Sequence, residues 1–380
     1  MSVHFVTGAT GAVGGAVVAR LLEDPDAEVF ALVRAPDAEA ARARLCAELD
    51  VPAADRPRVV ALPGDAERPR FGLANAHHAR LVAGCTRIIH CAGAVRMNLP
   101  IEAARRAAVE SARHVIALAR ELAAAGHLDK VDMVSTVGVA GRAHRLLPET
   151  WVGAAHPFHN TYEQAKAEAE QLAHEAIIDG LPLTVHRPSM VVGDSRTGRT
   201  RHFQIFYYLV EFLSGRRTRG VFPNLGDARL DTIPMDVVAE AIVRSSGSAG
   251  TVGRILHLCA GPREAIPLRR LQALIAERLR ARGERVPAAR YVPAAAFRAL
   301  ARTIGLVSSR RMRAALATLP VFLAYLETGQ AFDDTQSSRW LREAGIALPP
   351  PGDYLPRVLD YYWDTRALRA SDTPPERRHA

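Results

Sequence analysis

The 380-residue chain is nearly without lysine. Lys130 and Lys166 are the only two, against 47 arginines (49 basic residues less those two). Arginine replaces lysine freely on solvated faces, but it holds its proton too firmly to stand in where a charge must be tuned. Each surviving lysine is therefore a candidate for chemistry, although Lys130 has no evident task beyond solubility. Cysteine is scarce too: Cys46, Cys85, Cys91 and Cys259 form no CxxC pair. That argues against a disulfide framework or zinc site, and for a reducing, cytoplasmic compartment with no bound metal. The opening MSVHFVTGATG lacks the charged-then-apolar layout of a signal peptide. No run approaches the ~18 apolar residues of a membrane-spanning helix. The net charge of +9 invites a nucleic-acid partner. However, the arginines alternate with acids and no basic run carries stacking aromatics, so none is expected.

What is present is an alternation of short β-rich runs with alanine-rich helical stretches. Strands are expected at Val3–Thr7, Glu28–Val33, Arg58–Leu62, Arg87–Cys91, Lys130–Ser135, Leu183–His186 and Arg254–Leu258. Helices are expected at Ala12–Leu22, Ala38–Leu49, Ile101–Ala125 and Tyr162–Ile178. Such alternation implies βαβ crossovers and a doubly wound, Rossmann-type parallel sheet of about seven strands. Past Pro188 the rhythm changes. Residues 190–232 are rich in aromatics and arginine, and 262–330 read as mainly helical with several prolines; the aromatic stretch Phe203–Phe212 has a spacing that suits an apolar acyl pocket and core packing equally. Together they suggest a smaller, mostly helical C-terminal substrate lobe.

The loop Thr7-Gly8-Ala9-Thr10-Gly11-Ala12-Val13-Gly14 joins the first strand to the first helix. Its GxxGxxG spacing lets Gly8 make the tight turn, Gly11 admit a pyrophosphate and Gly14 pack helix on sheet, with the helix N-terminus facing the phosphates. Thr7, Thr10, Ala12 and Val13 complete this candidate dinucleotide cradle. At the end of the second strand an NAD site would place an acid, whereas this chain has Arg34. Its donor fork suits a 2′-phosphate, and Arg44 on the next helix is within reach, so NADP(H) is the expected cofactor.

The segment Asn160-Thr161-Tyr162-Glu163-Gln164-Ala165-Lys166 contains YxxxK. Residues four apart share a helix face, so the ammonium lies beside the phenol and is expected to draw its pKa down for proton transfer at a carbonyl. One of the two lysines falls here. Ser135-Thr136 ends the fifth strand, where doubly wound folds bind ligands, and Thr136 is the favoured hydroxyl to orient a carbonyl.

In this order and spacing, TGATGAVG, HCAGAV (90–95), STVGVAG (135–141), NTYEQAK and HRPSMVVGDSRTG (186–198) resemble the extended short-chain dehydrogenase/reductase superfamily. The chain looks most like its thioester reductase and fatty acyl-CoA reductase branch. LVR at the second strand, GDAERP (64–69), VRMNLP (95–100) and Asp333-Asp334-Thr335 carry that finer likeness. The resemblance implies that Asp65 and Ala66 flank the adenine and that Cys91, Ala92 and Gly93 border the ribose. It also places Pro188 and Ser189 beside the nicotinamide, makes Tyr162 the proton donor and gives Lys166 the ribose. Where the family commonly has asparagine on the long fourth helix, this chain has Ala108, followed by Ser111 and Ala112.

The resulting division is an NADP-binding domain over 1–189, a lobe insertion over 190–232 and a return to the sheet over 233–261. The helical lobe occupies 262–364 and a flexible tail 365–380. The expected activity is NADPH-dependent reduction of a thioester, aldehyde or bulky ketone. A substrate carried on CoA or a carrier protein would be met in trans, since the chain opens at the first strand. Arginines at 196–201, 216–217 and 310–311 are candidates to meet such a carrier, or are simply solvated. Competing readings are a hydroxysteroid-type dehydrogenase, a nucleotide-sugar epimerase or dehydratase, which Arg34 opposes, and a non-catalytic NADP sensor, which YxxxK opposes.

Overall fold

A computed structural model describes residues 2–49, 55–143, 145–297, 299 and 329–371. In chain order the strands are β1 (Ser2–Thr7), β2 (Ala27–Val33), β3 (Val59–Pro63), β4 (Arg87–His90), β5 (Lys130–Val134), β6 (Leu146–Leu147), β7 (Leu183–Pro188), β8 (Met190–Val192), β9 (Val221–Asn224), β10 (Arg229–Leu230), β11 (Thr232–Pro234), β12 (Ile255–Leu258), β13 (Ile266–Pro267), β14 (Arg290–Pro293) and β15 (Ala331–Phe332). Seven of them form one parallel sheet in the order β12-β7-β5-β4-β1-β2-β3. The order reverses between β1 and β4, so the two chains leaving their carboxyl ends diverge and open a crevice there.

Helices cover both faces, as apolar strands buried on both sides require. On one face lie α1 (Ala12–Leu21), α2 (Ala38–Glu48) and α8 (Met235–Ser246), packed through Val17, Val18, Leu45, Val238 and Ile242. On the other lie α3 (Asn75–Gly84), the α4–α5 pair (Ile101–Arg105 and Ser111–Ala124) and α6 (Thr161–Ile178), packed through Leu81, Val115, Leu118, Ala169 and Ala173. The expected single helix over 101–125 is interrupted: Arg106–Glu110 is a π-helical turn between α4 and α5. The helix α3 has no counterpart in the sequence reading.

The lobe packs α7 (Ile205–Leu213), α10 (Leu268–Ala281) and α12 (Pro351–Ser371) together, with α9 (Gly261–Glu264) against β15 and α11 (Thr335–Glu343) turned back onto β12. It is less purely helical than expected. Short strand pairs stitch its separated pieces together: β9 to β14, β10 to β13 and β11 to β8. The aromatic run is core, not a pocket lining. Phe206, Tyr207 and Val210 are buried, and Tyr207 meets Phe203 and Tyr362 at 4.8 and 5.0 Å between ring centres. The expected tail at 365–380 starts as helix, because α12 continues to Ser371 and Arg366 pairs with Glu211 while lying 5.6 Å over the Tyr362 ring. Of the candidate carrier arginines, Arg216 pairs with Glu211 and Glu284, and 310–311 lie outside the described residues. Among the described residues no helix is long and apolar enough to cross a membrane.

Lys130 overturns the solubility reading. It is buried at 2% exposure, and its ammonium donates to Ser245 O (2.7 Å), Ser248 O (2.8 Å) and Thr251 Oγ1 (2.5 Å). A cation at the carboxyl end of α8 satisfies carbonyls that the helix itself leaves unpaired. Lys130→Met is expected to lower stability by about 2–3 kcal/mol through those orphaned acceptors. Chemical denaturation measures the loss.

Candidate active site and dinucleotide cradle

The crevice at the carboxyl ends of β1 and β4 is built from close backbone contacts. Gly8 has φ +72°, and a Cβ there would stand 2.7 Å from the Ala92 nitrogen; a Cβ on Gly14 would collide with the Gly8 carbonyl. Only glycine tolerates both positions. The helix α1 begins at Gly11 with no capping side chain and no acid in its first turn. Its first N–H groups therefore keep their hydrogen bonds and partial positive charge for an anion. This donor set and cradle fit the pyrophosphate of a dinucleotide. Thr7 supports the floor: its hydroxyl lies 2.7 Å from His90 Nδ1 and accepts from Ala92 N at 3.3 Å. Burial, reinforced by the Lys166 charge, pushes the His90 pKa down to about 3, so the imidazole is neutral.

At the far end of the crevice β2 and β3 run in register with Val33 opposite Pro63, which sets Arg34 beside Asp65. Arg34 binds Asp65 (Nε–Oδ2, 3.0 Å) and Glu67 (3.4 Å), while Arg44 donates to the Arg34 carbonyl at 2.8 Å. The structure thus brings Arg34, Arg44, Asp65 and Ala66 together. The acidic clamp on Arg34 was missed, although the GDAER run that supplies it was in view.

The catalytic candidates converge at the end of β5. Asn160 caps α6, accepting from Glu163 N at 3.0 Å and donating to the Glu163 side chain at 3.0 Å. This reciprocal cap fixes where the helix starts and hence where Tyr162 points. Thr136 accepts from Gly138 N at 3.1 Å, and its side chain stands near enough to the Tyr162 phenol to act on its pKa, lowering it. It caps a turn and stands beside the tyrosine at once. Lys166, one helical turn on and 8% exposed, donates to Val134 O at 2.9 Å. A Cβ on Gly93 would lie 3.2 Å from its ammonium, so Gly93 leaves that side of Lys166 open.

The titration of these groups departs from expectation. Burial pushes Tyr162 up to about 12, against the opposing Thr136 side chain and helped by the Glu163 charge. Lys166 does not draw the tyrosine down; burial instead lowers Lys166 itself to about 8, with Cys91 and Glu170 acting to raise it. The Tyr162 phenol accordingly keeps its proton through neutral pH. Of the remaining expected residues, Ser189 donates its N–H to Leu258 O at 2.9 Å and Pro188 ends β7.

Two clusters were not foreseen. Arg187, wholly buried, grips Glu170 through Nε (3.0 Å) and Nη2 (2.6 Å), and donates to Thr150 O at 3.1 Å. The loop after Thr136 is also fastened to distant chain. β6 pairs with β15, and the Glu149 carboxylate accepts from Gln336 N (2.6 Å) and Ser337 N (2.8 Å) at the start of α11. The second cluster gives the Asp333-Asp334-Thr335 run its place: the Asp333 carbonyl meets His257 Nδ1 at 2.6 Å.

A doubly wound sheet with a glycine cradle at its switch point and a Thr–Tyr–Lys grouping at the neighbouring strand end defines an extended short-chain dehydrogenase/reductase. The chain belongs to the male sterility protein family, whose NAD-binding model matches residues 6–242, and it is of the thioester reductase-like branch. It is similar to the isonitrile lipopeptide synthase of Streptomyces coeruleorubidus, with 34% identity over 249 residues covering 63% of this chain and 16% of that protein. It is also similar to the nonribosomal peptide synthetase asaC of Aspergillus flavus, with 30% identity covering 67% of this chain and 26% of that protein. The chain thus spans 16% and 26% of the length of these relatives. Among solved structures, the terminal R domain from the myxalamid PKS-NRPS pathway superposes with a TM-score of 0.78 at 25% identity, over 98% of this chain and 92% of that one. The reductase domain of a nonribosomal peptide synthetase from Mycobacterium tuberculosis gives 0.72 at 21%, over 97% and 92%. At that identity the second likeness shows fold alone.

Proposed function

We propose that the protein is an NADPH-dependent reductase of a carbonyl presented as an acyl thioester or aldehyde. The observation that carries this reading is the Tyr162 phenol, holding its proton near Thr136, with Lys166 one turn away beside Gly93. Thr7, Gly8, Thr10, Gly11, Ala12, Val13 and Gly14 hold the pyrophosphate, Arg34 and Arg44 the 2′-phosphate, and Asp65 and Ala66 the adenine. Cys91, Ala92, Gly93 and Lys166 hold the nicotinamide ribose, with Pro188 and Ser189 against the nicotinamide. The bound dinucleotide supplies the hydride. Thr136 and Tyr162 aim two hydroxyls at the carbonyl oxygen, which stabilises the charge that develops there, and Tyr162 gives up its proton. With a thioester, the resulting hemithioacetal collapses to aldehyde and thiol.

Relatives named as peptide and lipopeptide synthases, together with one named an aldehyde reductase in Aspergillus flavus (26% identity, 67% of this chain), support a thioester or aldehyde substrate, delivered on CoA or a carrier protein. The deciding experiment follows NADPH consumption against acyl-CoA, acyl-carrier, aldehyde, ketone and steroid substrates. Turnover confined to steroids, or to none of them, overturns the reading. Arg34→Ala is expected to reduce the NADPH-over-NADH preference about tenfold or more, through loss of a charge-assisted pair to the 2′-phosphate. Comparative cofactor kinetics measure it. An unchanged preference would remove Arg34 from the assignment.

A further inference from the structure

The reductase reading gives Asp231 no task. It is buried between β10 and β11, where the chain returns from the lobe to the sheet. Its two carboxyl oxygens accept from Ala260 N (Oδ1, 2.8 Å) and Gly261 N (Oδ2, 2.9 Å), where the chain leaves β12 for the lobe. Its backbone carbonyl accepts from Met190 N at 3.3 Å, and the Ser189 N–H beside it goes to Leu258 O. One closed ring of hydrogen bonds therefore joins the three places where the chain passes between sheet and lobe: after β7, before β11 and after β12.

The ring has little slack. Gly261 has φ +81°, and a Cβ there would stand 2.5 Å from Asp334 Oδ1 at the start of α11, so glycine is required for this approach. On another side Tyr354 of α12, wholly buried, donates to Thr232 O at 2.9 Å and lies 2.7 Å from Thr232 Oγ1. Two backbone N–H groups on a carboxylate favour its charged form and would hold its pKa low. Here burial wins and lifts Asp231 to about 7, against the Ala260 and Gly261 amides and the Ser189 side chain, with the Asp334 charge adding to the rise. The other titratable groups that face it are Cys259, just past β12, and Tyr354. Burial drives both upward, so they stay neutral near pH 7. Among the described residues Asp334 is thus the one neighbouring charge that acts on Asp231.

We propose that Asp231 is a positioning residue whose carboxylate clasps the lobe to the sheet and so sets the Pro188–Ser189 turn against the nicotinamide. The proposal rests on the reductase reading for its effect on turnover, and on the hydrogen-bond ring alone for the clasp. In the ionised form each oxygen accepts from one amide. Protonation makes one oxygen an O–H, a poorer acceptor, and the ring slackens at Ala260 or Gly261. The carboxyl takes up that proton as pH falls through about 7. The clasp is therefore closed on the alkaline side and slack on the acid side.

The test compares wild type, Asp231→Asn and Asp334→Asn. Asparagine keeps the shape but offers one oxygen, so Asp231→Asn is slack at every pH. Misplacing a reacting group by about 1 Å can cost up to about 100-fold in rate. At about pH 8, Asp231→Asn is expected to lower kcat about tenfold with the NADPH KM within about twofold; at about pH 6 it matches the wild type within about twofold. The acid limb of the wild-type kcat profile, near pH 7, is absent from Asp231→Asn. In Asp334→Asn that limb moves to lower pH, because removing a neighbouring negative charge lets Asp231 ionise sooner. A loss in Asp231→Asn that is equal at all pH values makes the residue a structural bond only and overturns the proposal, as does a limb that Asp334→Asn leaves in place. The independent arm follows the Ala260 and Gly261 amide proton resonances by NMR with no substrate present. Movement with a midpoint near pH 7 in the wild type supports the clasp, and resonances that do not titrate overturn it. This arm and Asp334→Asn still decide the matter if Asp231→Asn fails to fold. A wild-type protein inactive on every carbonyl would sink the reductase reading while leaving the NMR arm to decide the clasp.

Discussion

Tyr162→Phe is expected to lower kcat by roughly 100- to 10,000-fold, the range that a positioned proton donor contributes, while the NADPH dissociation constant stays near that of the wild type. The phenol lies beside Thr136, and burial holds its proton on up to about pH 12. Removing the hydroxyl leaves the ring and its packing, so binding and chemistry separate. Steady-state kinetics alongside fluorescence titration of NADPH read both. Retention of near-normal kcat would transfer the proton to another donor and dissolve the proposed catalytic set.

Arg187→Met is expected to be the most destabilising single change in the described core, costing about 3–5 kcal/mol, because it strands the Glu170 carboxylate inside the protein without its cation. Three elements lose a partner together: α6 through Glu170, the loop at Thr150 through its carbonyl, and β12 through His257 Nε2, which lies 3.2 Å from the guanidinium. Arg187→Met/Glu170→Gln is expected to recover much of that loss, since both charges are then gone and burying an ion pair returns little net energy. Equilibrium denaturation of the two variants distinguishes this from simple loss of packing, which the double variant would not repair.

The sheet was legible in the sequence because each of its strands is an apolar run bounded by glycine, proline or a helical period. Parallel strands buried on both faces leave no ambiguity of register with solvent. The cradle and YxxxK were legible because they are local: Gly8 to Gly14 and Tyr162 to Lys166 each lie within one turn and one helix. What stayed hidden is non-local or depends on burial. Lys130 looked like a surface charge because nothing in its neighbourhood announces Ser245, Ser248 and Thr251, more than a hundred residues on. The tyrosine pKa was misjudged because proximity in a helix was read without the desolvation that outweighs it. His90 and Arg187 sat inside motifs already in view, but their partners, Thr7 and Glu170, are joined to them only by the sheet. The aromatic run at 203–212 carries the same spacing whether it lines a pocket or fills a core, and the lobe's own packing decided between them.

The fastening of the Thr136 loop to α11 bears on how the molecule reaches its working form. Glu149 waits for backbone N–H groups 187 residues later in the chain, and loop closure over such a separation is slow compared with forming local helices. During synthesis the seven-stranded sheet can be complete once β12 has emerged, yet the segment between Thr136 and Tyr162, held at Thr150 by Arg187, lacks its β15 and Glu149 partners until residues 330–337 follow. Maturation then proceeds from cradle to catalytic loop. A truncated chain ending before β15 lacks the β6–β15 pairing and the Glu149 bonds that fasten the loop after Thr136.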